Sequence, residues 1–134
     1  MQPTDSSHQP ASKKGNIIIS FNDDDTCNSV RQYLESAGYG VYVCCSLTDF
    51  MEVEHQHLIC TIIDISTDNP DKFHSIEIIK QSPVGVHVPM LVVAEVSSTD
   101  NIIRALNAGA NDYLLRPFSR KELLQRITTL TMAH

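Results

Sequence analysis

At 134 residues, 42% hydrophobic and 19% charged, with no tryptophan, the chain has the size and composition of one globular domain with a single core. Its formal charge of −6 argues against direct nucleic-acid binding, which needs a dense basic face, and no apolar run reaches the length of a membrane span. The four cysteines at 27, 44, 45 and 60 form no CxxC pair and fit neither a zinc site nor a disulfide framework, so reduced and mostly buried thiols in a cytoplasmic protein are expected.

The first segment, 1–14, is rich in Ser, Pro, Gln and Lys, lacks the apolar stretch of a secretory signal, and reads as a flexible tail ahead of a domain over 15–134. Ile17–Phe21 is a β-branched run of the kind that makes a buried strand, and it stops at FNDDD. Val30, Leu34 and Ala37 recur at helical spacing, with Gly38 placed as the terminating residue. GVYVCC, 40–45, predicts a second strand. Leu47–Glu54 predicts a weaker helix with Phe50, Met51 and Val53 as its apolar residues.

LICTIID, 58–64, is the clearest strand, apolar until it ends at Asp64. A helix over Lys72–Gln81 follows, with Phe73, Ile76 and Ile79 inward. MLVVA, 90–94, is a fourth buried strand, and Ile102, Ala105 and Leu106 form a helical stripe that stops before Gly109. Asp112–Leu115 is a brief fifth strand. SRKE, 119–122, is a capping box opening a helix with Leu123, Ile127 and Leu130 buried, and Glu122 stands four before Arg126 in the order that stabilises a helix.

Strands that alternate with helices, and are apolar throughout, predict an α/β domain whose parallel sheet is covered on both faces. Ligands of such sheets bind beyond the carboxyl ends of the strands, which directs attention to residues 21–25, 64–68, 94–97 and 116–118.

NAGANDYLLRPF, 107–118, followed by a capped helix, resembles the closing signature of response-regulator receiver domains, AGAxDYLxKPF. The register agrees elsewhere: Asn22 lies sixteen residues before Gly38, Asp64 ends the third strand, and Ala94 lies fifteen before Gly109. The resemblance covers roughly residues 15–131 and implies a flavodoxin-like sheet in the order 2-1-3-4-5 with five helices. It makes Asp64 the phospho-acceptor position, Phe21 and Asn22 the acidic pair that holds Mg²⁺, Ala94 and Tyr113 the switch positions, and Arg116 the phosphate-side cation.

Several of these positions depart from the family pattern. Two anions, the carboxylate and the incoming phosphoryl group, need a divalent ion between them, and that hard cation wants oxygen ligands. Phe21 offers none and Asn22 one neutral oxygen. Ala94 lacks the hydroxyl usual there. Arg116 keeps the charge of the usual lysine in a different geometry.

The FNDDD acids admit two readings. Asp23 could join Asp64 around a metal, or Asp24 or Asp25 could cap a helix starting near Thr26. His55 and His57 have no third partner at ligand spacing, and His74 and His87 stand likewise. Asp68 and Asp71 read as turn residues.

The leading expectation is a degenerate receiver acting by protein contact in two-component signalling, with signalling partners such as a histidine kinase or an output domain. A receiver phosphorylated on Asp64 is the alternative, and Mg²⁺ is expected only in that case. A flavodoxin-like enzyme or small-ligand binder is the reading from another class. Asp112, Arg116, Arg120, Lys121 and Arg126 resemble the charged face through which receivers of winged-helix transcription factors dimerise, although Ile102 stands where those have a basic residue. A homodimer through the fourth helix, fifth strand and fifth helix is one assembly that face allows.

Overall fold

The computed structural model describes residues 14–52, 57–66, 70–83 and 85–132. Five strands, β1 (Asn16–Ser20), β2 (Gly40–Val43), β3 (Leu58–Asp64), β4 (Met90–Glu95) and β5 (Asp112–Arg116), alternate with five helices. The helices are α1 (Asp24–Ser36), α2 (Leu47–Glu52), α3 (Pro70–Gln81), α4 (Thr99–Ala108) and α5 (Arg120–Met132), with a short 3₁₀ turn at Gly85–His87. All pairings are parallel and the strand order is 2-1-3-4-5. This is the flavodoxin-like arrangement expected from the register.

Strand alternation divides the core into two layers. Ile17, Ile19, Ile62, Leu91 and Val93 pack against Val30 and Leu34 of α1 and Leu123, Ile127 and Leu130 of α5. Ile18, Ile63, Met90 and Val92 face the other way, onto Phe50, Phe73, Ile76, Ile79 and Ile102 of α2, α3 and α4. Each fully buried Ile or Leu contributes roughly 1.5–3 kcal/mol, so the sheet is rigid where both layers meet it.

Several boundaries and faces differ from expectation. β1 ends at Ser20, so Phe21 lies just past it, and β2 ends at Val43, leaving Cys44 and Cys45 beyond the strand. Cys44 and Cys60 are buried and Cys27 half-buried, but Cys45 is exposed. Met51 and Leu106 are exposed, 48% and 37%, rather than inward, because a helix packed on one face of a sheet buries only a narrow stripe. Val53, Glu54, His55, Asp68 and residues 1–13 of the predicted tail lie outside the described residues.

Chain turns follow local rules. Gly38, at φ +99°, closes α1 in a Schellman motif: its N–H donates to Glu35 O and that of Tyr39 to Leu34 O. Ser119 and Glu122 exchange the two bonds of the predicted capping box. Arg126, expected to pair with Glu122, instead binds Asp112 at 2.9 Å, since Glu122 is committed to the Ser119 amide.

Asn111 ties the amino end of the sheet together. Its Oδ1 accepts from Met90 N at 2.8 Å and Lys80 Nζ at 3.1 Å, while its own N–H donates to Met90 O. Asn111→Ala strands the Met90 amide, and urea unfolding should report a loss of about 1–3 kcal/mol. A change within about 0.5 kcal/mol, the range of an idle surface residue, would show that the link carries no load.

Candidate functional site

In the order 2-1-3-4-5 the chain leaves β1 in one direction for β2 and returns on its other side for β3. The carboxyl ends of β1 and β3 therefore flank the point where strand order reverses. Ser20 pairs with Ile63, so residues 21–23 and 64–66 face each other across this cleft. β5 lies two strands from β3, roughly 10 Å away, within reach of a long side chain from Arg116 at its end.

Asp64 is fully buried. Its Oδ1 accepts from the amide of Ser66 at 2.9 Å and from the Ser66 hydroxyl. Its Oδ2 accepts from the backbone N and side-chain Nδ2 of Asn22, both at 3.2 Å, and from Arg116 Nη2 at 2.9 Å. Five donors thus converge on a group with about four acceptor positions.

The same Arg116 Nη2 reaches Asp23 Oδ1 at 2.9 Å, and Nη1 donates to Thr26 Oγ1 at 3.2 Å. The guanidinium therefore bridges both carboxylates, while its Nε is buried with no hydrogen-bond partner among the described residues and its carbon lies 6.0 Å from the Phe21 ring centre. Burial opposes the Arg116 charge, but the bonds to Asp23 and the attraction of Asp64 prevail and raise its pKa.

Asp23, neither Asp24 nor Asp25, is the N-cap of α1. Its Oδ2 accepts from the amide of Thr26 at 2.9 Å and its hydroxyl at 2.6 Å, so the helix starts two residues earlier than expected. Asp24 and Asp25 fall in the first turn, where carboxylates face the positive helix end. The Thr26 hydroxyl and amide, with Arg116, hold the Asp23 carboxyl down to about 2.

The remaining predicted residues are less closely engaged. Phe21 is half-buried against the α1–α5 layer. Ala94 is fully buried and presents only a methyl group. Tyr113 is half-buried, 5.9 Å below the Arg126 guanidinium. Asp71 is exposed in the first turn of α3, and His57 and His74 are exposed.

Three contributors were missed from sequence. Ser66, two residues after an aspartate, is an Asx-turn partner that D-x-S spacing could have flagged. Thr26 follows from N-cap spacing once Asp23 is the cap. Lys72, whose Nζ lies 3.5 Å from Ser20 Oγ, had no local signal. Burial lowers the Lys72 pKa, with the attraction of Asp64 acting in the opposite sense.

The family model for the response regulator receiver domain matches residues 17–128, and the chain belongs to that family. It is 31% identical over 118 residues to the regulatory protein VanRB of Enterococcus faecalis, covering 85% of this chain and 51% of the relative. It is 27% identical over 120 residues to the transcriptional regulatory protein HprR of Escherichia coli, covering 88% and 52%. The chain thus spans about half the length of these curated relatives.

The fold matches chemotaxis response regulator CheY4 of Vibrio cholerae with TM-score 0.77 and 16% identity, over 88% of this chain and 99% of that one. It matches the receiver domain of the sensor histidine kinase PA1611 of Pseudomonas aeruginosa PAO1 with TM-score 0.76 and 22% identity, over 88% and 98%. That structure has a magnesium ion coordinated in its active-site cleft. Among the described residues here, no helix is long and apolar enough to cross a membrane.

The Asp23 carboxyl sits below its ordinary value of 3.8, so the folded state binds fewer protons and gains stability as pH rises through this window. Asp23→Asn keeps a capping oxygen but removes the charge. The stability advantage of wild type over this variant, from urea unfolding, should be constant above pH ~5 and be lost progressively as the pH falls through the folded value of about 2. A pH-independent difference would show that Asp23 acts only as a cap.

Proposed function

We propose that this chain is a receiver domain, over residues 15–134, that works by protein–protein contact in two-component signalling without stable phosphorylation of Asp64. The observation that carries this reading is the saturation of the Asp64 carboxylate: it is 0% exposed and accepts five hydrogen bonds. A nucleophilic oxygen needs a free lone pair aimed at phosphorus, and both oxygens here are already occupied.

The residues around Asp64 fit a magnesium ion poorly. A small hard cation demands near-octahedral oxygen ligands. At the acidic-pair positions Phe21 has no ligand atom, and Asn22 turns its amide nitrogen, a donor, toward Asp64. Asp23 is engaged by Thr26, and Arg116 Nη2 lies 2.9 Å from both carboxylates. The arginine thus supplies the positive charge that a metal would bring, and it cannot exchange with solvent.

In this reading Ala94 and Tyr113 do not form a phosphorylation-driven switch, because Ala94 has no hydroxyl to bond a phosphoryl oxygen. The domain offers its partner, a cytoplasmic signalling protein such as a histidine kinase or an output domain, one dominant surface. Val96, Ile103 and Leu106, on α4 and the turn before it, are exposed apolar residues suited to such contact. The role is one of binding, not catalysis, and the net charge of −6 favours protein over nucleic acid as the direct partner.

Mg²⁺ with beryllofluoride, a phosphoryl mimic, is expected to leave the amide resonances of Asp64, Ala94 and Arg116 in place, and acetyl phosphate to yield no mobility-shifted species. The double variant Phe21→Asp/Asn22→Asp restores two carboxylates and should gain Mg²⁺-dependent shifts at the same amides. Recovery of wild-type protein carrying an acyl phosphate on Asp64 would establish the phosphorylated alternative instead.

A further inference from the structure

A cavity of about 320 Å³ lies between α2, α3 and the face of the sheet that carries Ile18 and Ile63. Two nucleophilic groups outside the hydrogen-bond network of Asp64 line it, the Cys45 thiol and the Lys72 amine. Ile18, Leu47, Phe50 and Ile79 supply an apolar wall beside them. Strand register brings the two groups to one place. Ile19 pairs with Val43, and the amide of Cys44 extends that ladder by donating to Ile19 O at 2.9 Å. Cys44 and Cys45 therefore stand one strand over from the end of β1, roughly 5 Å between backbones. The chain leaves the ladder at Cys45, whose N–H donates to the Asp49 carboxylate at 2.9 Å, and its side chain borders the cavity. Lys72, from α3, ends 3.5 Å from Ser20 Oγ at the same strand end.

The two groups suit different steps. Cys45 is exposed and open to a reagent from solution, and a thiol is intrinsically a strong nucleophile. Its neighbour Cys44 does not compete: it is buried, and burial pushes its thiol up to about 11, so little thiolate forms. Lys72 is half-buried, and its one bond among the described residues is the long contact to Ser20. Burial lowers its pKa despite the attraction of Asp64, so more of the amine is neutral and holds a free lone pair. Lys80 differs, because Val88 O at 2.8 Å and Asn111 Oδ1 at 3.1 Å hold its ammonium in place.

We infer that Cys45 and Lys72 form an acyl-accepting pair, in which Cys45 takes a short acyl group from an acyl thioester and passes it to Lys72. In the first step the Cys45 sulfur attacks the thioester carbonyl. A new C–S bond forms, the donor's own C–S bond breaks, and the donor leaves as a thiol carrying the proton that Cys45 gives up. In the second step the neutral Lys72 nitrogen attacks the same carbon. A C–N bond forms, the bond to Cys45 breaks, and the proton lost by the amine returns to the Cys45 sulfur. Nothing is oxidised or reduced. The apolar wall receives the acyl chain, and a volume at the low end of small-molecule pockets limits it to short ones. Acylation removes the Lys72 charge near the cleft and leaves Arg116 to face Asp64. The inference does not rest on how Asp64 is used.

Incubating the full chain with acetyl-coenzyme A or butyryl-coenzyme A at mildly alkaline pH, then digesting it for mass spectrometry, gives the acylation rate at each lysine. Lys72 should be acylated about tenfold faster than the exposed Lys121, because delivery from Cys45 is intramolecular. Cys45→Ser should slow Lys72 about tenfold and leave Lys121 unchanged. Lys72→Arg should trap a hydroxylamine-sensitive thioester on Cys45, a species that direct attack by the lysine would never produce. Cys45 is exposed and Lys72→Arg keeps the charge, so both variants should fold with Tm close to wild type. Equal rates at Lys72 and Lys121, a Lys72 rate indifferent to Cys45→Ser, or no thioester in Lys72→Arg would overturn the inference.

Discussion

A carboxylate taken wholly out of water is tolerated only where charge and hydrogen bonds replace its hydration. At Asp64, Ser66 and Asn22 supply four of the hydrogen bonds, and Arg116 the fifth together with the opposite charge. The guanidinium crosses from the end of β5, over β4, and settles between the β3 carboxylate and Asp23 at the start of α1. One nitrogen binds both acids while the other meets Thr26, an arrangement that needs a planar fork rather than the point charge of a lysine. Because the cation belongs to the chain, the positive charge facing the two carboxylates is fixed by folding and not by what the surrounding solution provides.

The bridge also joins three elements that the topology holds apart in sequence. Asp23 caps α1, Asp64 ends β3, and Arg116 ends β5, so rearranging the guanidinium would disturb a helix start and two strand ends together. That coupling favours a single arrangement of the cleft. In the proposed role the domain serves as a fixed docking partner, and Ala94, with only a methyl at the strand end, is consistent with a site that has no hydroxyl to recruit.

The opposite side of β1 and β3 has a different physical character. There, among the described residues, the buried Thr61 Oγ1 has no hydrogen-bond partner and the Lys72 ammonium makes one bond, at 3.5 Å to Ser20 Oγ.

The sequence by itself determined the layered fold and the position of the cleft. Five apolar runs with period-two and helical patterning, Gly38 at a left-handed turn, and the SRKE box are local signals whose physics does not depend on distant residues, and β3 was legible to its last residue. It also placed Asp64 at the end of β3, where an apolar run stops, while the positions of Asn22 and Arg116 came from the resemblance to receiver domains. Only the tertiary structure decided which aspartate caps α1, since Asp23, Asp24 and Asp25 are equivalent in composition. The choice depends on which of them Thr26 and Arg116, ninety-three residues away from Asp23, can both reach. It likewise decided that Met51 and Leu106 face solvent, that Ser66 and Lys72 flank the acidic cleft, and that Thr61 is buried. Each of these depends on contacts between elements, and hydrophobic periodicity within one segment carries no record of them.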